Sequence, residues 1–197
     1  MLLHLNYQID KEKYKKAFYD NYDKGDYHRK GDKVLKTWYK VFGISQIVKP
    51  VTKDLGLENL NIKPRFSYQF ENSTLINHID IDRIVGINLN LFDESPEIII
   101  EGKTYTYESA VIDVGSKVHG VIAKEKPRLV LKYAIRNSWD EIYSVLDKRG
   151  LIDHTKTYFD NPNYMIYESI LKDCDKQFVK WVIRFFNTNI IIKKNYY

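Results

Sequence analysis

Cysteine is almost absent: Cys174 stands alone in 197 residues. A single thiol cannot close an internal disulfide, so a disulfide-stapled secreted scaffold is excluded. Acidic neighbours in LKDCDKQ raise a thiol pKa rather than lower it, which removes Cys174 as a nucleophile. The sequence also lacks a zinc-type Cys/His cluster and a glycine-rich phosphate loop. Zinc-finger and nucleotide-hydrolase roles therefore drop out. Apolar runs are short, the longest being IIIEG and NIIIKK, far below the roughly 18 residues of a membrane-crossing helix. The opening MLLHLNYQID has no signal-peptide order, so the expectation is a cytoplasmic protein with no membrane role. The acceptor pattern Asn72-Ser73-Thr74 has no secretory context to make it meaningful.

What is present suits one packed domain. Apolar residues make up 44% and charged residues 29% of the chain, a balance that disordered chains do not show. Sixteen Tyr, nine Phe and three Trp supply large side chains with a polar edge, as a sheet-rich interior with a pocket requires. The net charge is +5, yet the lysines are interleaved with acids in DKEKYKK, KGDYHRKGDK and AKEKPR. Such mixing describes a solvated surface more than a nucleic-acid face, so nucleic-acid binding is possible but not favoured.

Three regions differ in their period. Residues 1–64 read as a helical part: Asp32 can cap a helix carrying Val34, Leu35, Trp38, Tyr39 and Phe42 on one face, ended by Gly43. Residues 65–136 change to short segments rich in Ile, Val and Tyr: RFSYQF, TLINHIDID, RIVGINLNLF, EIIIEG, KTYTYE, SAVIDVG, KVHGVIA and RLVLKYAIR. Turn signals DESP, EGK and KEKP separate several of them, which predicts a β-sandwich or barrel. Residues 137–197 return to helix. Ser138 and Glu141 form a capping box before Ile142, Val145 and Leu146, and Asn161-Pro162 can open a second helix through Met165, Ile166 and Ile170 to Trp181 and Phe185. These helices are expected to buttress the sheet.

Two of the five histidines fall in the strand region. His78 and Asp80 are two apart in extended chain, which places both side chains on one face. An imidazole and a carboxylate so placed are two of the three ligands of a facial metal triad. A chain of this composition holds ~0.4 His-x-Asp matches by chance, so the pair fits equally an ion pair at a sheet edge. His119 adds a second imidazole in KVHGVIA. If the KEKP connection makes a hairpin pairing Ala123 with Arg128, then Lys132 lies opposite His119. Arg128 is then four positions away, about 13 Å at ~3.3 Å per residue, a gap suited to a small dicarboxylate between metal and guanidinium. His4, His28 and His154 are expected at the surface. Arg83, Asn88 and Asn90 follow on the next strand, where the two asparagines either face the barrel mouth or point out into water; Tyr68, Tyr105 and Tyr107 are further pocket candidates, with strand packing as the alternative.

The order His78-x-Asp80, a distal His119 and Arg128 nine residues later resembles the 2-oxoglutarate and Fe(II)-dependent dioxygenases. The segments from Pro64 to Ile135 look most like the aspartyl/asparaginyl β-hydroxylase branch. Some members of that branch lack the carboxylate ligand; Asp80 is present here. The resemblance implies a mainly β fold with flanking helices around a double-stranded β-helix (jelly-roll, cupin-like) core. It further implies Fe(II) held by His78, Asp80 and His119, which serve as the catalytic centre. The distal carboxylate of 2-oxoglutarate would meet Arg128 and Ser67. Three positions on the iron would remain for 2-oxoglutarate and O₂. The implied reaction is hydroxylation of an amino-acid side chain, free or within a peptide, with release of succinate and CO₂. Two other classes remain open: a jelly-roll protein that binds a metal or ligand without redox turnover, and an oxygenase acting on nucleic acid.

Overall fold

The computed structural model describes residues 2–30, 33–81, 83–94, 96–122, 125–156, 165–167 and 191–193. Three elements precede the strand-rich region on its sheet side: β1 (Leu2–His4), β2 (Gly25–Lys30) and β3 (Lys33–Val41). Two helices lie among them, α1 (Lys11–Asp20) and α2 (Lys49–Asp54). Eight strands follow: β4 (Ile62–Gln69), β5 (Thr74–His78), β6 (Val85–Asn90), β7 (Glu97–Ile100), β8 (Lys103–Thr106), β9 (Ser109–Asp113), β10 (His119–Ile122) and β11 (Arg128–Ile135). Each corresponds to one of the segments read from the sequence. The chain continues into α3 (Trp139–Asp147), and two short strands, β12 (Met165–Tyr167) and β13 (Ile191–Lys193), pair in parallel.

The strands form a seven-stranded sheet in the order β1-β9-β6-β11-β4-β3-β2 and a four-stranded sheet in the order β5-β10-β7-β8. From β4 onward the chain alternates between sheets, except where β7 and β8 form a hairpin. This winding is the double-stranded β-helix, or jelly roll. The larger sheet has two different faces. Phe66, Ile87, Leu89, Leu131 and Tyr133 point to one side and pack with Tyr14 and Phe18 of α1, Val51 of α2, and Ile142 and Leu146 of α3. The alternate residues face the smaller sheet, where Ala110, Ile112 and Val114 meet Ile98, Ile100 and Val121. Period-2 alternation thus sorts each strand between a helix-covered core and an inter-sheet space.

The structure departs from the sequence reading in three places. The part read as helical, residues 1–64, holds the strands β1, β2 and β3 beside α1 and α2, and the helix expected across residues 34–42 is strand β3. Its apolar residues serve two covered faces: Tyr39 and Val41 join the helix-side core, while Trp38 joins the inter-sheet cluster. A strand buried on both sides loses its alternation and imitates a helical stripe. Asp32, its expected cap, lies outside the described residues. Second, no hairpin pairs β10 with β11. β10 pairs with β5 and β7, whereas β11 pairs with β4 and β6, so the intervening connection passes between sheets. Third, Met165 and Ile166 lie in strand β12 instead of a helix; Ile170, Cys174, Trp181 and Phe185 are outside the described residues. The Ser138 cap is present, its hydroxyl accepting from the Glu141 N–H at 3.3 Å. Among the described residues no helix is long and apolar enough to cross a membrane.

One close approach holds the loop after β5 against the sheet. Gly115 N–H donates to Ile84 O at 2.9 Å, and a Cβ on Gly115 would stand 2.8 Å from Ile84 Cα and 2.9 Å from Arg83 O. Backbone cannot yield as a flexible side chain does. Gly115→Ala is therefore expected to lower stability by about 1–3 kcal/mol in urea denaturation; a change within about 0.5 kcal/mol would show that the contact is not tight.

Candidate metal centre

The adjoining ends of β5 and β10 bring two imidazoles together. His78 and His119 are direct partners in the antiparallel register, and their rings lie 4.4 Å apart between centroids. Asp80 follows two residues after His78, beyond the end of the strand. Its N–H donates to Val114 O at 2.8 Å, which ties this turn to the end of β9 in the other sheet. Asp80 Oδ1 lies 3.6 Å from His78 Nε2, and Oδ2 lies 3.6 Å from His119 Nε2. One donor atom from each of the three residues falls within 4.8 Å of the others. The convergence joins residues 39 and 41 positions apart, read from the numbers of His119, Asp80 and His78.

The hydrogen bonding decides which nitrogen is available. His119 Nδ1 lies 3.0 Å from Lys117 O. A carbonyl only accepts, so Nδ1 carries the hydrogen and Nε2 presents a lone pair. That Nε2 is buried with no hydrogen-bond partner and faces a carboxylate oxygen at a distance too long for a hydrogen bond. Two acceptors facing one another call for a cation between them. Burial lowers the His119 pKa; Asp80 opposes this, while His78 and Lys132 reinforce it. The neutral imidazole that results is the form a metal needs. At Asp80 burial disfavours the charge, but the imidazoles of His119 and His78 and the charges of Lys132 and Arg83 outweigh it. The carboxyl is held well below its ordinary range. Arg83 grips both Asp80 oxygens at 2.5 Å through Nε and Nη2, a bidentate pair that orients the carboxylate. Two imidazoles and one carboxylate, with an unpartnered lone pair among them, fit a divalent metal of the Fe(II) class.

The cluster opens into a cavity of about 410 Å³ between the two sheets. Arg128 and Ser67, the residues assigned to a distal carboxylate, both line it. Ser67 pairs with Val130 and Arg128 pairs with Gln69, so Ser67 and Arg128 are diagonal neighbours on one face. Tyr107 supports Arg128: its hydroxyl accepts from Arg128 Nη2 and also from Asn88 Nδ2, the latter at 3.0 Å. Arg128 Nε is buried and has no partner. Of the two asparagines considered, Asn88 lines the cavity, while Asn90 Nδ2 is spent on Phe92 O and Glu94 O at 2.8 and 2.9 Å.

The sequence reading missed part of the wall. His28, expected at the surface, lines the cavity and contacts Lys40 Nζ at 3.2 Å through Nδ1. Burial, followed by Lys40, lowers its pKa. Arg65 and Lys132 also line the cavity; they are register partners on β4 and β11. Burial and then Arg83 push the Lys132 ammonium well below the lysine range against the pull of Asp80, with Arg65 and Arg128 adding to the push. A charged residue amid the apolar strand RLVLKYAI was the available signal. A larger depression of about 900 Å³ lies beside β1, but its Lys11 and Glu108 pair with each other at 2.9 Å, and among the described residues its His4, Glu108 and Asp153 do not converge as a group of three metal ligands.

No protein-family model matches the sequence, and no curated protein is similar to it. Solved structures are similar in fold. A prolyl hydroxylase from Trichoplax adhaerens, in complex with a hypoxia inducible factor oxygen degradation domain peptide fragment, is 11% identical. The match covers 74% of this chain and 86% of that one, with a TM-score of 0.52. A Pseudomonas putida prolyl-4-hydroxylase is 14% identical over 64% of this chain and 83% of its own, with a TM-score of 0.46. A 2OG-Fe(II) oxygenase family protein from Burkholderia pseudomallei is 13% identical over 54% and 72%, with a TM-score of 0.41. At these identities the likeness is one of fold.

Metal binding to the folded state alone raises stability by mass action. Mn(II) is expected to raise the melting temperature of the wild-type chain by several degrees and to leave His119→Ala unmoved, as read by differential scanning fluorimetry. An equal shift in both proteins would place the metal elsewhere.

Proposed function

We propose that this chain is a 2-oxoglutarate- and Fe(II)-dependent dioxygenase that hydroxylates a carbon of an amino-acid side chain, free or within a peptide. The reaction consumes 2-oxoglutarate, O₂ and a C–H group, and yields succinate, CO₂ and the corresponding C–OH. The observation that carries the reading is the lone pair of His119 Nε2, buried and unpartnered beside Asp80 and His78. The ordered set His78, Asp80, His119 and Arg128 in a double-stranded β-helix supports it, as does the fold shared with the Trichoplax prolyl hydroxylase. The finer placement in the aspartyl/asparaginyl β-hydroxylase branch rests on the resemblance between Pro64 and Ile135 and belongs to this proposal.

In this reading His78, Asp80 and His119 hold Fe(II). Bound there, the metal supplies the O₂ activation and oxidative decarboxylation that no amino-acid side chain can perform. The protein's part is positional. Lys117 O holds His119 in the tautomer that frees Nε2, and Arg83 keeps both Asp80 oxygens oriented. Arg128, steadied by Tyr107, would receive the distal carboxylate of 2-oxoglutarate, and Ser67 would add a hydroxyl. Ile98, Ile112, Val114, Val121 and Val130 line the same space and exclude water from the reacting centre. A non-catalytic metal-binding role would use the same three ligands but leaves the cavity and Arg128 without a task.

His78→Ala and His119→Ala are expected to abolish Fe(II) binding and turnover. Arg128→Ala should chiefly raise the 2-oxoglutarate requirement, by ten-fold or more for the loss of a bidentate charged contact worth about 1.5–3 kcal/mol. Uncoupled succinate formation measured by mass spectrometry is the check. Unchanged succinate release in the histidine variants would disprove the assignment.

A further inference from the structure

The hairpin between β7 and β8 carries a residue that its turn does not favour. Ile100 pairs with Lys103, which leaves Glu101 and Gly102 as a two-residue loop. Both have positive φ, 49° at Glu101 and 79° at Gly102, as a type I′ turn requires. Gly, Asn or Asp usually fills the first of these positions. Glycine has no Cβ to crowd the following carbonyl, and the short Asn or Asp side chain hydrogen-bonds locally. Glutamate has neither advantage. Among the described residues the other non-glycine position with positive φ is Asn72, a residue type that tolerates it. Glu101 is held in its strained conformation by what its side chain reaches.

That contact is a buried ion pair. Lys117 is 4% exposed, and its Nζ lies 3.2 and 3.3 Å from the two carboxylate oxygens of Glu101. Glu101 also donates its N–H to Val118 O at 2.9 Å. One turn residue thus grips the approach to β10 at two successive positions. The peptide between them carries Lys117 O, the acceptor 3.0 Å from His119 Nδ1. With the Lys117 side chain held before that peptide and the Val118 carbonyl held after it, Lys117 O is restrained toward the imidazole. A buried ion pair is a poor source of stability, because desolvating both charges offsets most of their attraction. Beside the acceptor that orients His119, it has another use.

We propose that Glu101 and Lys117 are positioning residues for the metal centre: their ion pair fixes the Lys117 carbonyl, which holds the His119 ring so that Nε2 faces Asp80 and His78. Neither residue is among those lining the cavity, so both act through His119 and not on a bound molecule. The inference rests on the reading of His78, Asp80 and His119 as metal ligands. Outer partners of this kind tune metal affinity by about 10–100-fold. The strained turn is the cost of that control.

The test uses the full chain under argon, with Mn(II) affinity read by isothermal titration calorimetry and Co(II) as a visible-spectrum probe. Glu101→Asp and Glu101→Asn both suit the turn and are nearly identical in shape, but only the first keeps a carboxylate for Lys117. Glu101→Asp is expected to bind Mn(II) about ten-fold more tightly than Glu101→Asn. The double variant Glu101→Asn with Lys117→Met removes both charges and relieves the turn. Its metal-free melting temperature is expected within about 3 °C of the wild type or above it. Its Mn(II) affinity is expected to fall about ten-fold, with a shifted Co(II) ligand-field band. Equal Mn(II) affinity in the two single variants, or wild-type affinity with an unshifted band in the double variant, would overturn the inference. A double variant that melts well below the wild type, or does not fold, overturns it as well, since the pair then serves the fold. Failure of the wild type to bind Mn(II) overturns the metal reading itself, and the inference with it.

Discussion

A carboxylate buried between two imidazoles and a guanidinium is the interaction on which the rest of the molecule turns. Asp80 sits in the loop after β5, yet its N–H is held by Val114 at the end of β9 and its oxygens by Arg83. Those contacts join the smaller sheet to the larger one at the point where His78 and His119 come together. Without them the turn after His78 would be free to swing its charge into water. The charge would then be solvated and useless as a ligand. Burying it is expensive, and only the surrounding positive and polar groups make the ionised form stable there.

The jelly roll supplies the geometry for this arrangement. Each strand of the larger sheet delivers its odd and even residues to two different environments, one packed by helices and one facing the cavity. That division lets Leu129 and Leu131 build the core while Arg128, Val130 and Lys132 build the site. The helices matter indirectly. By covering the far face with Phe18, Val51, Ile142 and Leu146, they leave the near face free to carry polar and charged groups that a single-layer sheet could not spare.

Much of this was legible in the chain itself. The eight segments from RFSYQF to RLVLKYAIR announced strands through β-branched residues and turn punctuation, and His78, Asp80 and His119 stood out by residue type and order. The apolar spacing across residues 34–42 imitates a helix. Val34, Leu35, Trp38, Tyr39 and Phe42 recur at helical spacing, but within β3 Trp38 enters the inter-sheet cluster while Tyr39 and Val41 enter the helix-side core, so apolar residues there no longer alternate with polar ones; Phe42, half exposed, lies just past the strand. His28 was misplaced for a related reason. It lies on a strand whose register shifts after Tyr27, and such a bulge re-aims side chains in a way no local pattern reveals.

The sequence by itself determined which residues would form strands and which side chains were fit to hold a metal, because propensity, alternation and donor chemistry are local properties. Tertiary structure alone decided that β10 and β11 belong to different sheets, so that His119 and Arg128 face one cavity from two walls instead of lying along one hairpin. It also decided that Arg65, Lys132 and Lys40 come together on one wall of that cavity. Register partners distant in the chain are brought together by burial of the two sheet faces against each other. That energy belongs to the whole domain and is written in no single segment.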